Sequence, residues 1–340
     1  MATARILIIR NGGLGDTLLL WPAIQAVRLS QARASIDLMG VKERCQLLVG
    51  AGGADRALDV EGSGLHLLYH MDAQPPPEVA ARFSTYDVVV AFAAPGDYAL
   101  AENLSACGVT EAHVFLPLPP ESERIHVAQH LLRCMVQAGL AEPGGQLQRL
   151  PLEERWPRRG RQLLGYGEGR DEHLVVLAPS SGSREKNWPP RLWRELAGRL
   201  LEEGRRVVLL DGPADGEIVG PLLRQLQAVH GADRVGHCHP PTPCDLAGVL
   251  AAAPCYLGND SGPTHLAALL EVPTVAVFGP SDPLRWAPLG KHLEVVRADG
   301  LSCSPCDEDE RRRCSYRQCL EDVTTDSVHQ ALERLLGVPV

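Results

Sequence analysis

The fold class is readable from CYLGNDSGPTHLAALLEVPTVAVFGPSDP, residues 255–283. Residues 255–257 make a short apolar strand, 258–262 a turn of small and polar residues, 264–270 a helix, and 274–278 a second buried strand. Pro263 takes the place of a first helical residue, where its fixed φ suits the helix and its missing N–H costs nothing. A helix that opens on Ser261, Gly262, Pro263 and Thr264 presents unpaired N–H groups and the positive end of its dipole, the makings of an anion site. The same letters also suit an ordinary capped turn. Asp260, Ser261, Thr264 and His265 together at the C-terminal edge of one strand favour a ligand site, because open α/β sheets bind there.

Outward from this stretch, the strand–helix rhythm fills both halves of the chain. Apolar and β-branched runs at 5–9, 35–39, 87–92 and 114–116 read as strands, with shorter candidates at 57–60 and 66–69. Helices are expected over 16–29, with Pro22 in the second turn, and over 123–138. The second half offers strands at 173–177, 206–210 and 293–296, and helices at 191–203, 214–229, 245–252 and 324–336. Residues 142–169, rich in glycine, proline and charge, read as the segment between domains. Alternating strands and helices imply parallel sheets covered on both faces. A chain of 340 residues is also long for one core. The expected class is α/β, with two Rossmann-like domains facing across a cleft that holds the site.

The formal charge of −9 and the pI near 5.7 argue against broad nucleic-acid binding and a polybasic membrane anchor. No apolar run is long enough to span a bilayer. The opening MATARILIIRNGG contains no cleavage-type apolar region, which points to a cytoplasmic protein. Ten cysteines in so large a chain then read as reduced thiols.

Four stretches carry candidate chemistry. In NGGLGD, 11–16, the glycines allow close backbone approach, but the spacing is not G-x-G-x-x-G and the dinucleotide fingerprint is missing. Asp37, near the end of the second strand, could still mimic a ribose-binding acid, which keeps a dehydrogenase reading open. Asp16 begins a helix and is either a cap or a general base. In PSSGSREKNWP, 179–189, Ser180 and Ser181 offer hydroxyls, Gly182 a close approach and Lys186 a point charge for phosphate. A solvated loop with Trp188 packed on the sheet fits equally well. In DGPADGE, 211–217, Asp215 and Glu217 suit a helix's first turn, and Glu217 alternatively a pair of ribose hydroxyls. Cys303, Cys306, Cys314 and Cys319 have the clustering of a zinc or cluster site and equally of a loop of reduced thiols.

Taken together, these motifs resemble glycosyltransferase family 9, the ADP-heptose:lipopolysaccharide heptosyltransferases, over nearly the whole chain. The matching stretches are ILIIRNGGLGDTLLLWPAIQAVR, APSSGSREKNWP, LLDGPADGE, GNDSGPTHLAALLEVPTVAVFGPSDPLRWAP and the C-terminal CSPC…C…CLEDVT. The resemblance implies a glycosyltransferase B fold: an acceptor-side domain at 1–155, and a nucleotide-sugar domain at 156–340 whose last helix can pack back on the first. It implies metal-independent transfer with inversion at the anomeric carbon, and no cofactor besides the ADP-sugar substrate. By it Asp16 is the base. Ser180, Ser181, Lys186, Asp260, Ser261, Gly262, Pro263, Thr264 and His265 hold the donor diphosphate, and Glu217 the ribose. Arg10, Gly13 and Gly15 form the acceptor-side loop.

The implied function is transfer of a heptose or related sugar to a lipopolysaccharide-core, lipid-linked or other envelope glycan. The implied setting is cytoplasmic, at the inner face of the inner membrane, with peripheral membrane contact left open. The sequence departs from the family on the acceptor side: residues 45–123 hold only Arg56 and Arg82 and no lysine, although Arg10, Lys42 and Arg44 lie just before. A less acidic acceptor is therefore open. The alternatives are a nucleotide-binding protein of envelope synthesis without transfer activity, and an NAD-dependent dehydrogenase.

Overall fold

The computed structural model describes residues 3–71, 74–94, 99–120, 122–144, 147–165, 171–212 and 216–337. Asp215 and the linker glycines Gly145, Gly167 and Gly169 lie outside them. The chain divides into two compact units, Met1–Pro151 and Leu152–Val340.

The first unit is built on β1 (Arg5–Arg10), β2 (Ser35–Gly40), β3 (Arg56–Asp59), β4 (Val88–Phe92) and β5 (Glu111–Phe115). All pairs are parallel, in the order β3-β2-β1-β4-β5. Each of β1 and β2 is buried at every residue after its first, as strands covered on both faces must be. The chain lays strands to one side of β1 and then crosses to the other, so a topological switch point falls between β1 and β4.

The second unit repeats the plan with β6 (Leu174–Ala178), β7 (Arg206–Leu210), β8 (Val235–Cys238), β9 (Tyr256–Asn259), β10 (Thr274–Val277) and β11 (Leu293–Val296). The order β11-β10-β9-β6-β7-β8 is again wholly parallel. Its switch point lies between β6 and β9. Helix Pro190–Glu202 covers one face with Leu192, Trp193, Leu196, Ala197, Leu200 and Leu201, a three-and-four spacing that makes one apolar stripe. Trp193 meets Trp188 edge-on at 5.0 Å. Helix Thr325–Leu336, capped by the Thr324 hydroxyl at the Ser327 amide, packs on helix Pro190–Glu202, β10 and β11.

Three expectations change. The helix expected over 16–29 is two, Leu14–Leu18 and Trp21–Ser30. Pro22 has no N–H for the Leu18 carbonyl, so the first helix ends before it and the proline enters the first turn of the second. Residues 66–69 are not a strand but part of a 3-10 helix, Leu65–Tyr69. Its two buried leucines, Leu65 and Leu68, stand three apart, the period of that helix. The stretch read as linker contains helix Arg155–Leu163. Trp156, Gly160 and Leu164 are buried, one per turn, while Arg155, Arg158 and Arg159 face solvent. At Gly160 the helix touches the backbone of helix Pro243–Ala252: a Cβ there would lie 2.0 Å from the Gly248 carbonyl oxygen. Among the described residues no helix is long and apolar enough to cross a membrane.

Candidate functional site

The second unit gathers most of the expected donor residues at its switch point. The loop after β6 carries Ser180, Ser181 and Lys186, and the turn after β9 carries Asp260 and Ser261. Lys186 Nζ donates to Asp260 Oδ2 at 2.7 Å, with 22% of the lysine side chain exposed and 5% of the aspartate. The ammonium also lies 6.0 Å from the centre of the Trp286 ring. Ser261 is the N-cap of helix Gly262–Leu269, with Pro263 second rather than first in the helix. As the first helical residue, Gly262 has no intrahelical acceptor for its N–H. The Thr264 and His265 amides, by contrast, donate to the Ser261 carbonyl at 3.1 and 3.2 Å.

Other members of the expected set are engaged elsewhere. Thr264 is fully buried, and its hydroxyl donates to the Asn259 carbonyl at 2.5 Å and lies 3.0 Å from the Tyr256 hydroxyl. It anchors the helix to β9 and does not offer its side chain to a diphosphate. Gly258 makes room for this contact, since a Cβ there would stand 2.2 Å from the Tyr256 oxygen. His265 is buried. The Ser181 hydroxyl bonds Asn187 Oδ1 and the Ser183 carbonyl, each at 2.8 Å, and so shapes the loop. The Ser180 hydroxyl is buried without a partner, a state that favours a ligand acceptor or donor beside it. Glu217 is 78% exposed and pairs with Arg184 at 2.8 Å.

Two features escaped the sequence. Asn259 was read as part of the turn, yet it ends β9, buried, and its Oδ1 accepts from the Trp188 amide at 2.8 Å. That bond ties the loop after β6 to β9. Asp211, just past β7, accepts from His237 Nε2 at 2.7 Å through one oxygen and from His239 Nδ1 through the other. The alternation of His237 and His239 about Cys238 was the available signal.

In the first unit, the loop after β1 leads into helix Leu14–Leu18 at the switch point. Asp16 is in the first turn, 35% exposed. Its Oδ2 accepts from the Gly13 amide at 2.9 Å, so it is a cap as well as a candidate base. Gly12 is needed there, because a Cβ would lie 2.8 Å from that of Asp16. Arg44 donates to the Gly12 carbonyl at 2.5 Å. Arg10 does not reach towards an acceptor. It is 3% exposed and bonded to Asp16 and the Pro117 carbonyl. Burial lowers its pKa, against the raising influence of Asp16. Asp37 is likewise no ribose acid. It is buried, held by the Arg56 fork at 2.9 and 2.5 Å and by the Tyr86 hydroxyl at 2.7 Å.

Among the described residues, no group of three or more His, Cys, Asp or Glu is placed to hold a metal ion. The Cys306 thiol turns to the Cys303 carbonyl and the Cys314 thiol to the Tyr316 carbonyl. Burial, with the other three thiols adding, pushes Cys319 up to about 11.

A sequence profile of glycosyltransferase family 9 (heptosyltransferase) matches residues 126–317, more than half of the chain. Lipopolysaccharide heptosyltransferase 1 of Pseudomonas aeruginosa is 35% identical over 163 residues, covering 48% of this chain and 43% of that protein. Lipopolysaccharide heptosyltransferase 2 of Salmonella typhimurium is 34% identical over 186 residues, covering 52% and 47%. The matched part thus spans about half the length of these curated relatives. The crystal structure of a family 9 glycosyl transferase from Veillonella parvula superposes with a TM-score of 0.78 at 19% identity, over 99% of this chain and 98% of that one. The E. coli ADP-heptose lps heptosyltransferase II structure superposes with a TM-score of 0.76 at 20% identity, over 98% of both. At such identities the likeness is one of fold, and it bears out the expected glycosyltransferase B class of two parallel-sheet, Rossmann-like domains. With the profile spanning the switch point of the second unit, the chain belongs to glycosyltransferase family 9, the heptosyltransferase family.

Proposed function

We propose that the protein is an inverting glycosyltransferase that moves a heptose or related sugar from an ADP-sugar to a hydroxyl of an envelope glycan. The observation that carries this reading is the Lys186–Asp260 pair, 2.7 Å apart at the C-terminal ends of β6 and β9. An ammonium has three donors. Asp260 takes one, which leaves two for the donor diphosphate, with the Gly262 amide as a further donor. The names of the heptosyltransferase relatives supply the sugar and the nucleotide.

In the reaction, Asp16 accepts the proton of the acceptor hydroxyl as its oxygen attacks the anomeric carbon. The bond from that carbon to the diphosphate oxygen breaks, and the electron pair leaves with ADP. Lys186 and the Gly262 amide meet charge that grows only as this bond breaks, so they favour the transition state over the bound donor. The sugar carbon passes through oxocarbenium character, as in other glycosyl transfers. Ser180 adds its hydroxyl to the phosphates, and Glu217 bonds the ribose.

The acceptor is low in negative charge. Residues 45–123 hold eleven acidic residues against Arg56 and Arg82. Arg56 is spent on Asp37, and Arg82 donates to the Gly62 carbonyl. Such a field repels polyanions. Incubation with ADP-heptose and a panel of neutral and anionic glycans should release ADP and give product of inverted anomeric configuration by NMR. No release of nucleotide from any of several sugar nucleotides overturns the reading. The bond from the Gly13 amide to Asp16 favours, as a second reading, nucleotide binding without transfer, which predicts ADP binding and no turnover.

A further inference from the structure

We propose that Arg10 is a positioning residue for the transfer reaction, a buried guanidinium that aims the Asp16 carboxylate. The proposal rests on the reading of Asp16 as the base. Arg10 is the last residue of β1, in register with Phe92 at the end of β4. Its Nε donates to the Asp16 carbonyl at 3.0 Å, its Nη1 to the Pro117 carbonyl at 3.0 Å, and its Nη2 to Asp16 Oδ1 at 3.4 Å. Its guanidinium carbon lies 5.5 Å from the centre of the Phe92 ring. The neighbouring Leu116 carbonyl accepts from His130 at 2.8 Å, so the turn after β5 is fastened from two sides. One planar fork thus grips the main chain and the side chain of the same aspartate and ties both to the turn beyond β5.

Asp16 Oδ2 is held by the Gly13 amide and Oδ1 by Arg10. The carboxylate therefore has one orientation, and its remaining lone pairs face outward from a fixed plane. A cap alone needs only the Gly13 bond. A buried cation is a poor choice for anchoring, because well-packed apolar residues of similar volume usually stabilise a fold as well or better. What the guanidinium does that an apolar residue cannot is hold the plane of the carboxylate by a directed hydrogen bond. Lysine would keep the charge but lose the fork.

The test compares Asp16→Asn, Arg10→Met and Arg10→Lys by kcat, KM, ADP affinity and Tm. If Asp16→Asn keeps its turnover, the base reading fails, and the proposal with it. If Asp16→Asn is inactive, Arg10→Met is expected to lose kcat on the order of 100-fold, the effect of a reacting group misplaced by an ångström. Its ADP affinity and acceptor KM stay unchanged, so the loss falls on kcat, as for an interaction that matters only in the transition state. Arg10→Lys keeps the charge without the fork and is expected to lose kcat as well, with KM unchanged. A wild-type kcat in either variant overturns the proposal, as does a loss of kcat matched by an equal loss of ADP affinity. If Arg10→Met fails to fold, Arg10→Lys decides alone, and a kcat that falls in step with ADP affinity marks a merely structural role.

Discussion

The two switch points share a scaffold and reverse its polarity. Each holds an ion pair with one partner buried and the other reaching solvent. In the first unit the cation is buried, Arg10 at 3%, and the carboxylate is presented, Asp16 at 35%. In the second the carboxylate is buried, Asp260 at 5%, and the ammonium is presented, Lys186 at 22%. The buried partner sets the sign of what the surface offers: a carboxylate in one unit, an ammonium in the other. The anchoring also differs. Asp16 caps its own helix through Gly13, so the presented group and the anchor are one residue. In the second unit Tyr256 and Thr264 anchor the helix, apart from Lys186 and Asp260.

The largest expected effect breaks the comparison on its acidic side. Asp16→Asn, which keeps an oxygen for the Gly13 amide, should lower kcat by about 10²–10⁴-fold, the usual worth of a general base. Calorimetry should find ADP affinity unchanged; a parallel loss of binding makes Asp16 structural. Lys186→Met should come next. It removes a charge-assisted hydrogen bond and should weaken ADP by about 1.5–3 kcal/mol, a ten- to hundred-fold rise in Kd by titration. An unaltered Kd removes Lys186 from the phosphate site.

Tyr256→Phe sharpens the contrast in anchoring. It deletes a buried hydroxyl and leaves Thr264 its bond to Asn259, so stability should fall by about 0.5–1.5 kcal/mol in urea titration while ADP affinity holds. A drop in affinity would mean that anchoring and binding are not separate there. The smallest effect is one of salt. The screening length falls from about 10 Å at 0.1 M to about 3 Å at 1 M. Added salt should therefore weaken ADP binding at the presented ammonium and lower the KM for an anionic acceptor at the acidic first unit. Equal and like-signed changes would argue against opposite fields at the two edges.

Much of the scaffold was legible because it is local. Continuous apolar runs mark β1, β4 and β6, and the Gly-Pro-Thr start marks the helix after β9. Thr264 shows the limit. It is the right kind of residue in the right segment, but its hydroxyl points into the sheet. A turn's letters do not say which way its side chains face once a neighbouring strand is in place. The basic helix Arg155–Leu163 was read as linker for a related reason. Its buried stripe is so narrow, Trp156 and Gly160, that only the close approach of Gly248 completes it.

The sequence by itself determined the α/β class, most of the strands and the glycine turns, because backbone sterics and apolar periodicity act over a few residues. Only the tertiary structure decided the partners. Lys186 meets Asp260 from 74 residues away, and Trp188 meets Asn259 from 71, because β6 and β9 are neighbours in the sheet and not in the chain. Even Arg10 and Asp16, six residues apart, needed the Pro117 carbonyl to fix how the guanidinium turns. Which member of a charged pair is buried depends on packing from all sides, and no local pattern of letters carries that information.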